Sequence, residues 1–408
     1  MPGLVVLMLA GETVFLLPFV VARVFRPTLL DVLGLSNFQL GSAFSVYGVT
    51  AAICYLLGGP LADRFSARRL MSLALVATAF GGLWMASLPS AAGLQWLYGY
   101  WGVTSILLFW AALMRAARMW GGVDQQGRAY GLLDGGRGLT AAVLAAFTVA
   151  LLSAQLEHSI DDPAQRAWAL QVVILSCSGV TLAVAGLVWW VIPEQAPSAC
   201  DEDHIRGAGL KRVLRMPGLW CQALIVVCAY VAYKATDNFG LFARDVLGYD
   251  DVEAASLAGI AFWMRPVAAV AAGFVAERIS GTRTLMVGFA LIALVGLSLG
   301  MQWLPLGIPS FALLSILGIS LGIYAVRGVY FAIMGEVGVP MAATGAAVGV
   351  VSVIGFTPDI FAGPLIGYLL DASPGATGHQ QVFLLLAGFA ALGLVAATVA
   401  RHLALRRR

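Results

Sequence analysis

"GGPLADRFSARRLM", residues 58–71, places Asp63, Arg64, Arg68 and Arg69 within seven positions between two long apolar stretches. The rest of the chain is sparing with charge. Of its 408 residues, 60% are hydrophobic and 11% are Asp, Glu, Lys or Arg. A soluble domain carries about 25% charged residues and about 45–50% apolar ones. The 24 Lys and Arg with 21 Asp and Glu are too few to cover a soluble protein of this length. Most of the surface is therefore expected to face lipid.

Several function classes recede on composition. A net charge of +3, with no basic cluster interleaved with aromatics, gives no footing for nucleic acid. The five cysteines are odd in number and mostly sit in apolar segments, so no disulfide framework is expected. The four histidines, His158, His204, His379 and His402, lie far apart at or beyond the ends of apolar stretches. No metal-ligand cluster, nucleotide loop or Ser-His-Asp spacing appears. The expectation is a protein without cofactor or enzymatic activity, drawing its energy from a gradient and not from ATP. No Lys or Arg precedes the first apolar stretch and Glu12 interrupts it, so this reads as a membrane span and not a signal peptide.

A membrane-crossing helix needs about 20 mostly apolar residues. On that measure the sequence predicts twelve spans: 3–29, 38–59, 70–88, 92–118, 128–155, 166–192, 217–243, 252–275, 285–304, 308–335, 343–370 and 380–402. The fold class is all-α membrane protein. Residues 193–216 form the longest polar connection, so the expected organisation is an N-terminal six-helix bundle (1–192), a linker (193–216) and a C-terminal six-helix bundle (217–408). Arginines crowd one set of connections, including Arg64, Arg68, Arg69, Arg278 and Arg283, and the tail on that side adds Arg401 and Arg406. The opposite set holds little beyond Arg166 and Arg244. The positive-inside rule then puts both termini in the cytoplasm.

The opening stretch recurs. At 271–286 the sequence reads "AAGFVAERISGTRTLM", with Gly59 matching Gly273, Asp63 matching Glu277, Arg64 matching Arg278 and Ser66 matching Ser280. The same offset of 214 superposes "DVLG" at 31–34 on "DVLG" at 245–248. A looser echo relates "GRAYGLLDGG" from Gly127 to "GAAVGVVSVIG" from Gly345. A fixed period means a duplicated structural unit. Each unit has an even number of spans, so both enter the membrane in the same sense, which makes the repeat parallel.

With these features the chain resembles the major facilitator superfamily over its whole length. The two halves of that superfamily are a known case of such a parallel repeat. Gly59, Asp63, Arg64, Arg68 and Arg69 match the family's loop motif between the second and third helices, and Ser66 stands where the motif usually has glycine. The resemblance implies a cytoplasmic latch for this loop. Gly59, Asp63, Arg64 and Arg68 would form it in the first repeat, and Glu277 and Arg278 in the second. "QGRAYGLLDGGRGL", "TDNFGLFARDVLG" and "GFTPDIFAGPLIGYLLD" resemble bacterial sugar-phosphate-permease-like transporters, which are related to the organophosphate antiporters. Those use a basic residue in helix 1 and another in helix 7. Lys234 roughly fits the second, whereas Arg23 lies about a turn too far along for the first.

Charges deep in spans cost about 2.5–3.5 kcal/mol each on insertion scales, so they are functional candidates. Glu12, Phe15, Phe19 and Arg23 share one helical face; Tyr230, Lys234 and Asp237 share another; Tyr324, Arg327 and Phe331 a third; Ser352, Phe356 and Asp359 a fourth. Stripes that mix aromatics with charge suit a partly hydrated interior and not lipid. The midplane cations Arg137, Lys234, Arg265 and Arg327 outnumber the carboxylates Glu12, Asp237 and Asp359. Guanidinium suits a bidentate grip on carboxylate, sulfonate or phosphate. The expected substrate ligands are Arg137, Lys234, Arg265 and Arg327 with Tyr230 and Tyr324. The expected proton-coupling groups are Glu12, Asp237 and Asp359. The whole predicts a monomeric secondary transporter of a small organic anion, coupled to a proton or another ion. A non-transporting solute sensor, an exporter of amphipathic compounds and a channel are the rival readings. The duplicated latch argues against the channel, and the cation count against the exporter.

Overall fold

The computed structural model describes residues 2–121, 126–156, 162–194, 214–303, 309–339 and 344–406. Among these the chain is helical, with short turns and no strand. The first span, α1, is a bent pair, Gly3–Thr13 and Leu16–Val24, at 45°. It is followed by α2 (Asn37–Arg64), α3 (Ala67–Ala86), α4 (Ala91–Ala117), α5 (Gln126–Leu156) and α6 (Pro163–Val191). The second series is α7 (Pro217–Leu247), α8 (Asp251–Arg278), α9 (Gly281–Gly300), α10 (Pro309–Val329), α11 (Ala347–Ala372) and α12 (Ala376–Leu405). Ten of these are long and apolar enough to cross a membrane, and the bent α1 makes an eleventh. The 28-residue α2 completes the twelve-helix architecture, since its length of about 40 Å exceeds a hydrocarbon core of about 30 Å.

The sequence echoes turn out to be helix punctuation. Both "DVLG" copies close a helix on a left-handed glycine, Gly34 at φ 59° and Gly248 at φ 71°, a conformation glycine adopts without a Cβ penalty. Ser66 and Ser280 each begin the next helix but one. Their hydroxyls accept the backbone N–H of Arg69 and Arg283, the usual N-cap bond. Ser36 caps α2 in a reciprocal box with Gln39.

Breaks in the helices are placed by proline and irregular turns. In α1, Pro18 has no N–H for the Val14 carbonyl, and the Val20 N–H reaches back five residues to Phe15. The result is a wide π-type stretch over Leu16–Val21. α4 carries a second such stretch at Val103–Trp110. α7 tightens to a single 3-10 turn at Thr236–Asn238. α11 breaks after Gly355 and restarts at Pro358.

The helices pack as two compact units. One comprises Met1–Cys200 with Asp237–Trp263 and Gly363–Tyr368. Its core gathers Leu7 and Val14 of α1, Met71 and Leu75 of α3, Phe109 of α4 and Val188 of α6. The other comprises Asp201–Thr236, Met264–Ala362 and Leu369–Arg408; there α9 and α12 pack around Phe289, Ile292, Leu386 and Ala390. Most of the linker expected at 193–216 lies outside the described residues. The end of α7, the start of α8 and the stretch 363–368 of α11 pack with α1–α6. Large apolar side chains such as Phe80, Trp190, Val287, Leu314 and Val395 are exposed on the outer faces, as helices solvated by lipid require.

Candidate functional site

In the second unit the breaks in α7 and α11 bring the faces of α7, α10 and α11 into one polar cluster. Lys234, on the last turn before the α7 break, places its Nζ 3.3 Å from Oδ1 of Asp359. The lysine side chain is 3% accessible and the aspartate 15%. Asp359 lies in the first turn of the restarted α11, just after Pro358, where the helix N-terminus favours a negative charge. The Tyr230 hydroxyl donates to its Oδ2 at 3.1 Å. On α10 the Arg327 guanidinium lies over the Tyr233 ring at 3.7 Å and within 5.8 Å of Tyr230. Tyr324 meets Tyr233 edge-on at 6.4 Å between centroids, and Phe356 packs on Tyr230 at 5.0 Å. Arg265 is buried in α8, one residue before Pro266.

In the first unit a second cluster forms where the two π-type stretches meet α5. Arg137 holds Glu12 at 3.4 Å, Asp134 at 3.8 Å, and donates its Nε to the Gly11 carbonyl at 3.0 Å. Its guanidinium lies over Trp110 at 5.3 Å and over Phe15 at 5.7 Å. Phe15 directly precedes one π stretch and Trp110 ends the other. The extra residue in each wide turn re-aims the flanking aromatic toward Arg137. Such turns recur at functional positions.

Most sequence-derived residues fall into these clusters. Lys234, Asp359, Tyr230, Arg327 and Tyr324 are joined directly or through Tyr233, and Glu12 joins Arg137. Asp237 belongs to neither. It pairs with Arg23 in the first unit at 2.5 Å, and Phe262 faces that guanidinium at 5.3 Å. The intramembrane charges divide unevenly: Lys234, Arg265 and Arg327 share the second unit with Asp359, three cations to one carboxylate.

The loop residues are placed differently. Gly59 and the Asp63 side chain lie outside the described residues, while Arg64, Glu277 and Arg278 are exposed at helix ends. Arg68 reaches Glu194, just past α6, at 2.6 Å and stacks on Trp189 at 4.8 Å; Arg69 pairs with the same carboxylate. The second repeat has its own anchor. Glu336 accepts the Gly281 N–H at 2.6 Å and the Thr282 N–H at 3.1 Å, holding the first turn of α9.

Tyr233, Trp110, Glu194 and Glu336 escaped the sequence reading. Tyr233 stands three residues after Tyr230 on α7, so the aromatic spacing itself was the available signal. Glu194 and Glu336 act through positions remote in sequence.

Twelve apolar helices carrying charged, aromatic-bounded clusters at mid-span define a multi-pass membrane transporter and not an enzyme. The chain belongs to the major facilitator superfamily, whose family model matches residues 7–357. It is 29% identical over 377 residues to the inner membrane protein YqcE of Escherichia coli strain K12, covering 89% of this chain and 85% of that protein. It is 26% identical over 403 residues to YihN, another inner membrane protein of that strain, covering 95% and 92%. Among solved structures, a bacterial homolog of the human lysosomal transporter Spinster superposes over 100% of this chain and 98% of its own, with TM-score 0.78 at 14% identity. The nucleoside transporter NupG superposes over 98% of each chain, with TM-score 0.73 at 14% identity.

Proposed function

We propose that this transporter moves a small organic anion (a sugar acid, sugar phosphate, sulfonate or carboxylate) by alternating access, coupled to protons. The carrying observation is the second unit's cluster, in which Lys234 is held by Asp359 and Arg327 lies on Tyr233. A dry cation is costly unless compensated. Asp359 compensates Lys234 in the structure described. An anionic solute would take over that role, and Asp359, released, would take up a proton. Arg327, pre-oriented by its aromatic neighbours, is suited to the same anionic group. Arg265 adds positive charge, and Arg137 with Glu12 offers a second, weaker version of the exchange. In this reading the loop of Gly59, Asp63, Arg64 and Arg68 and its counterpart at Glu277 and Arg278 form the cytoplasmic latch. Both termini face the cytoplasm, the membrane is a bacterial inner membrane, and the protein acts as a monomer.

The test is uptake into proteoliposomes holding the purified chain, with gluconate, a hexose phosphate, an alkyl sulfonate and a neutral sugar as probes. Saturable uptake of an anion, accelerated by a proton gradient and lost in Lys234→Gln and Arg327→Gln, is expected. Anion uptake that both variants retain, or preference for the neutral sugar, would overturn the anion assignment.

A further inference from the structure

Arg23 and Asp237 are separated by 214 residues. That is the interval that superposes the two "DVLG" copies and the two loop motifs. The two partners of this ion pair are therefore counterparts in the duplicated design. In a two-fold arrangement, a residue touches its own counterpart only at the axis that relates the copies. Two identical charges there would repel, so a strictly repeated sequence could not place an ionised residue at this point. The chain instead carries opposite charges on the two copies, at 2.5 Å and with side-chain accessibilities of 4% and 5%.

The surroundings in the same unit follow that axis. A Cβ on Gly240, just past Asp237, would stand 3.5 Å from the Val24 carbonyl, so α7 is in ordinary contact with α1 here. To one side, α2 meets α11 backbone to backbone. A Cβ on Gly41 would overlap the Gly363 carbonyl, and one on Gly363 would stand 2.9 Å from the Gly41 carbonyl. To the other side, α5 meets α8, where Val149 lies 3.7 Å from a Cβ built on Gly259. Position 149 is the repeat counterpart of 363, and Gly259 lies one turn from the counterpart of Gly41. In the same unit runs a partly exposed chain of charges. Asp31 accepts from Arg166 at 2.8 Å and from Arg244 at 2.6 Å, and Arg166 also holds Asp251 at 2.7 Å.

We propose that this constellation is the gate closing one end of the solute path, with Arg23–Asp237 as its central bolt. The charge distribution of the loops puts that end outside the cell. The proposal assigns Asp237 to gating and not to proton coupling. Energetically the parts suit an element that must open. Desolvation of a buried pair offsets much of its attraction, so water entering on opening compensates both ions. The more exposed link of the chain, Arg244 to Asp31, adds little holding force, and the α2–α11 glycine contact can separate and re-form without a side chain to repack.

The test reads the gate directly and needs no solute, so it stands or falls independently of the anion assignment. Spin labels at the exposed positions Ala92 on α4 and Glu253 on α8, in a cysteine-depleted full chain, report the separation across this end by pulsed dipolar spectroscopy. Arg23→Asp and Asp237→Arg each leave two like charges on the axis and are expected to move the main distance peak longer. The exchange variant R23D/D237R is expected to restore it. Gly41→Val leaves the ion pair intact and props the α2–α11 seam apart, so it should lengthen the distance as well; it also serves if a single charge variant does not fold. Unchanged distances in the folded single variants, or in Gly41→Val, overturn the gate. Failure of a folded exchange variant to restore the distance overturns the bolt.

Discussion

Lys234 and Asp359, from α7 and α11, meet at 3.3 Å where each helix is interrupted. Neither interruption is incidental. The 3-10 turn after Ala235 ends the regular part of α7 one residue past the lysine, and Pro358 restarts α11 one residue before the aspartate. The pair is thus held at two helix ends, where backbone groups and water can reach it more readily than at mid-helix.

Removing one partner of this pair leaves a charge buried without its counter-ion, a change that costs about 3–5 kcal/mol in comparable sites. Lys234→Gln and Asp359→Asn are each expected to lower the thermal unfolding temperature in detergent markedly. The double variant K234Q/D359N removes both charges and is expected to recover most of the loss while remaining inactive in uptake. Equal destabilisation of the double variant and the sum of the singles would mean the two groups do not act as a pair.

Tyr233 orients Arg327 by its ring face, at 3.7 Å. A desolvated cation–π contact is worth about 2 kcal/mol, which corresponds to about a 30-fold change in an equilibrium constant. Tyr233→Leu should therefore raise the half-saturating concentration of the transported anion by about 10- to 30-fold with the protein still folded. Tyr233→Phe keeps the ring and should change it little. If Phe and Leu behave alike, the hydroxyl carries the effect and the stacking argument fails.

How much of this was legible beforehand depends on how far apart the interacting residues stand in the chain. The twelve spans rest on local composition, and the structure agrees with them closely apart from shifted ends, as where α2 runs on to Arg64, and the internal irregularities of α1, α4, α7 and α11. The "DVLG" and Ser66/Ser280 echoes pointed to a duplication because a left-handed glycine and an N-cap serine are local demands on the backbone. The face shared by Tyr230 and Lys234 also followed from helical spacing. Its join to Asp359, 125 positions away, needed the packing of α7 on α11. The Arg23–Asp237 pair was hidden differently. Its signal was the repeat interval itself, but a face-by-face reading of α7 groups Asp237 with Lys234, although an irregular turn at Thr236–Asn238 follows the lysine. Glu336 and Glu194 meet partners 55 and 126 positions away, which no local spacing signals.

Glu336 accepts two backbone N–H bonds from the first turn of α9. Hydrogen bonds to a charged acceptor contribute about 1.5–3 kcal/mol. Glu336→Ala should destabilise the protein by about that amount, and the Gly281 and Thr282 amides should exchange hydrogen faster while amides in mid-α9 do not. Glu336→Gln retains an acceptor oxygen and should lie between. Uniform acceleration along α9 would show that the side chain supports the whole helix and not its first turn.

The two carboxylate clusters make different demands on a proton-coupled cycle. If Asp359 is the group that protonates when the solute engages Lys234, then Asp359→Asn fixes the released state. Exchange of labelled for unlabelled solute across the membrane should persist in that variant, because binding and reorientation remain possible. Uptake driven by a proton gradient should fall to the rate seen without one. Glu12→Gln, by contrast, loosens Arg137 but leaves Asp359 to titrate, so gradient-driven uptake should be slowed and still respond to the gradient. The opposite pattern, with Glu12→Gln insensitive to the gradient and Asp359→Asn responsive, would move coupling to the first unit and leave the Lys234–Asp359 pair a structural one. Measuring counterflow and gradient-driven uptake on the same vesicle preparations separates these cases, since a variant that merely folds poorly loses both.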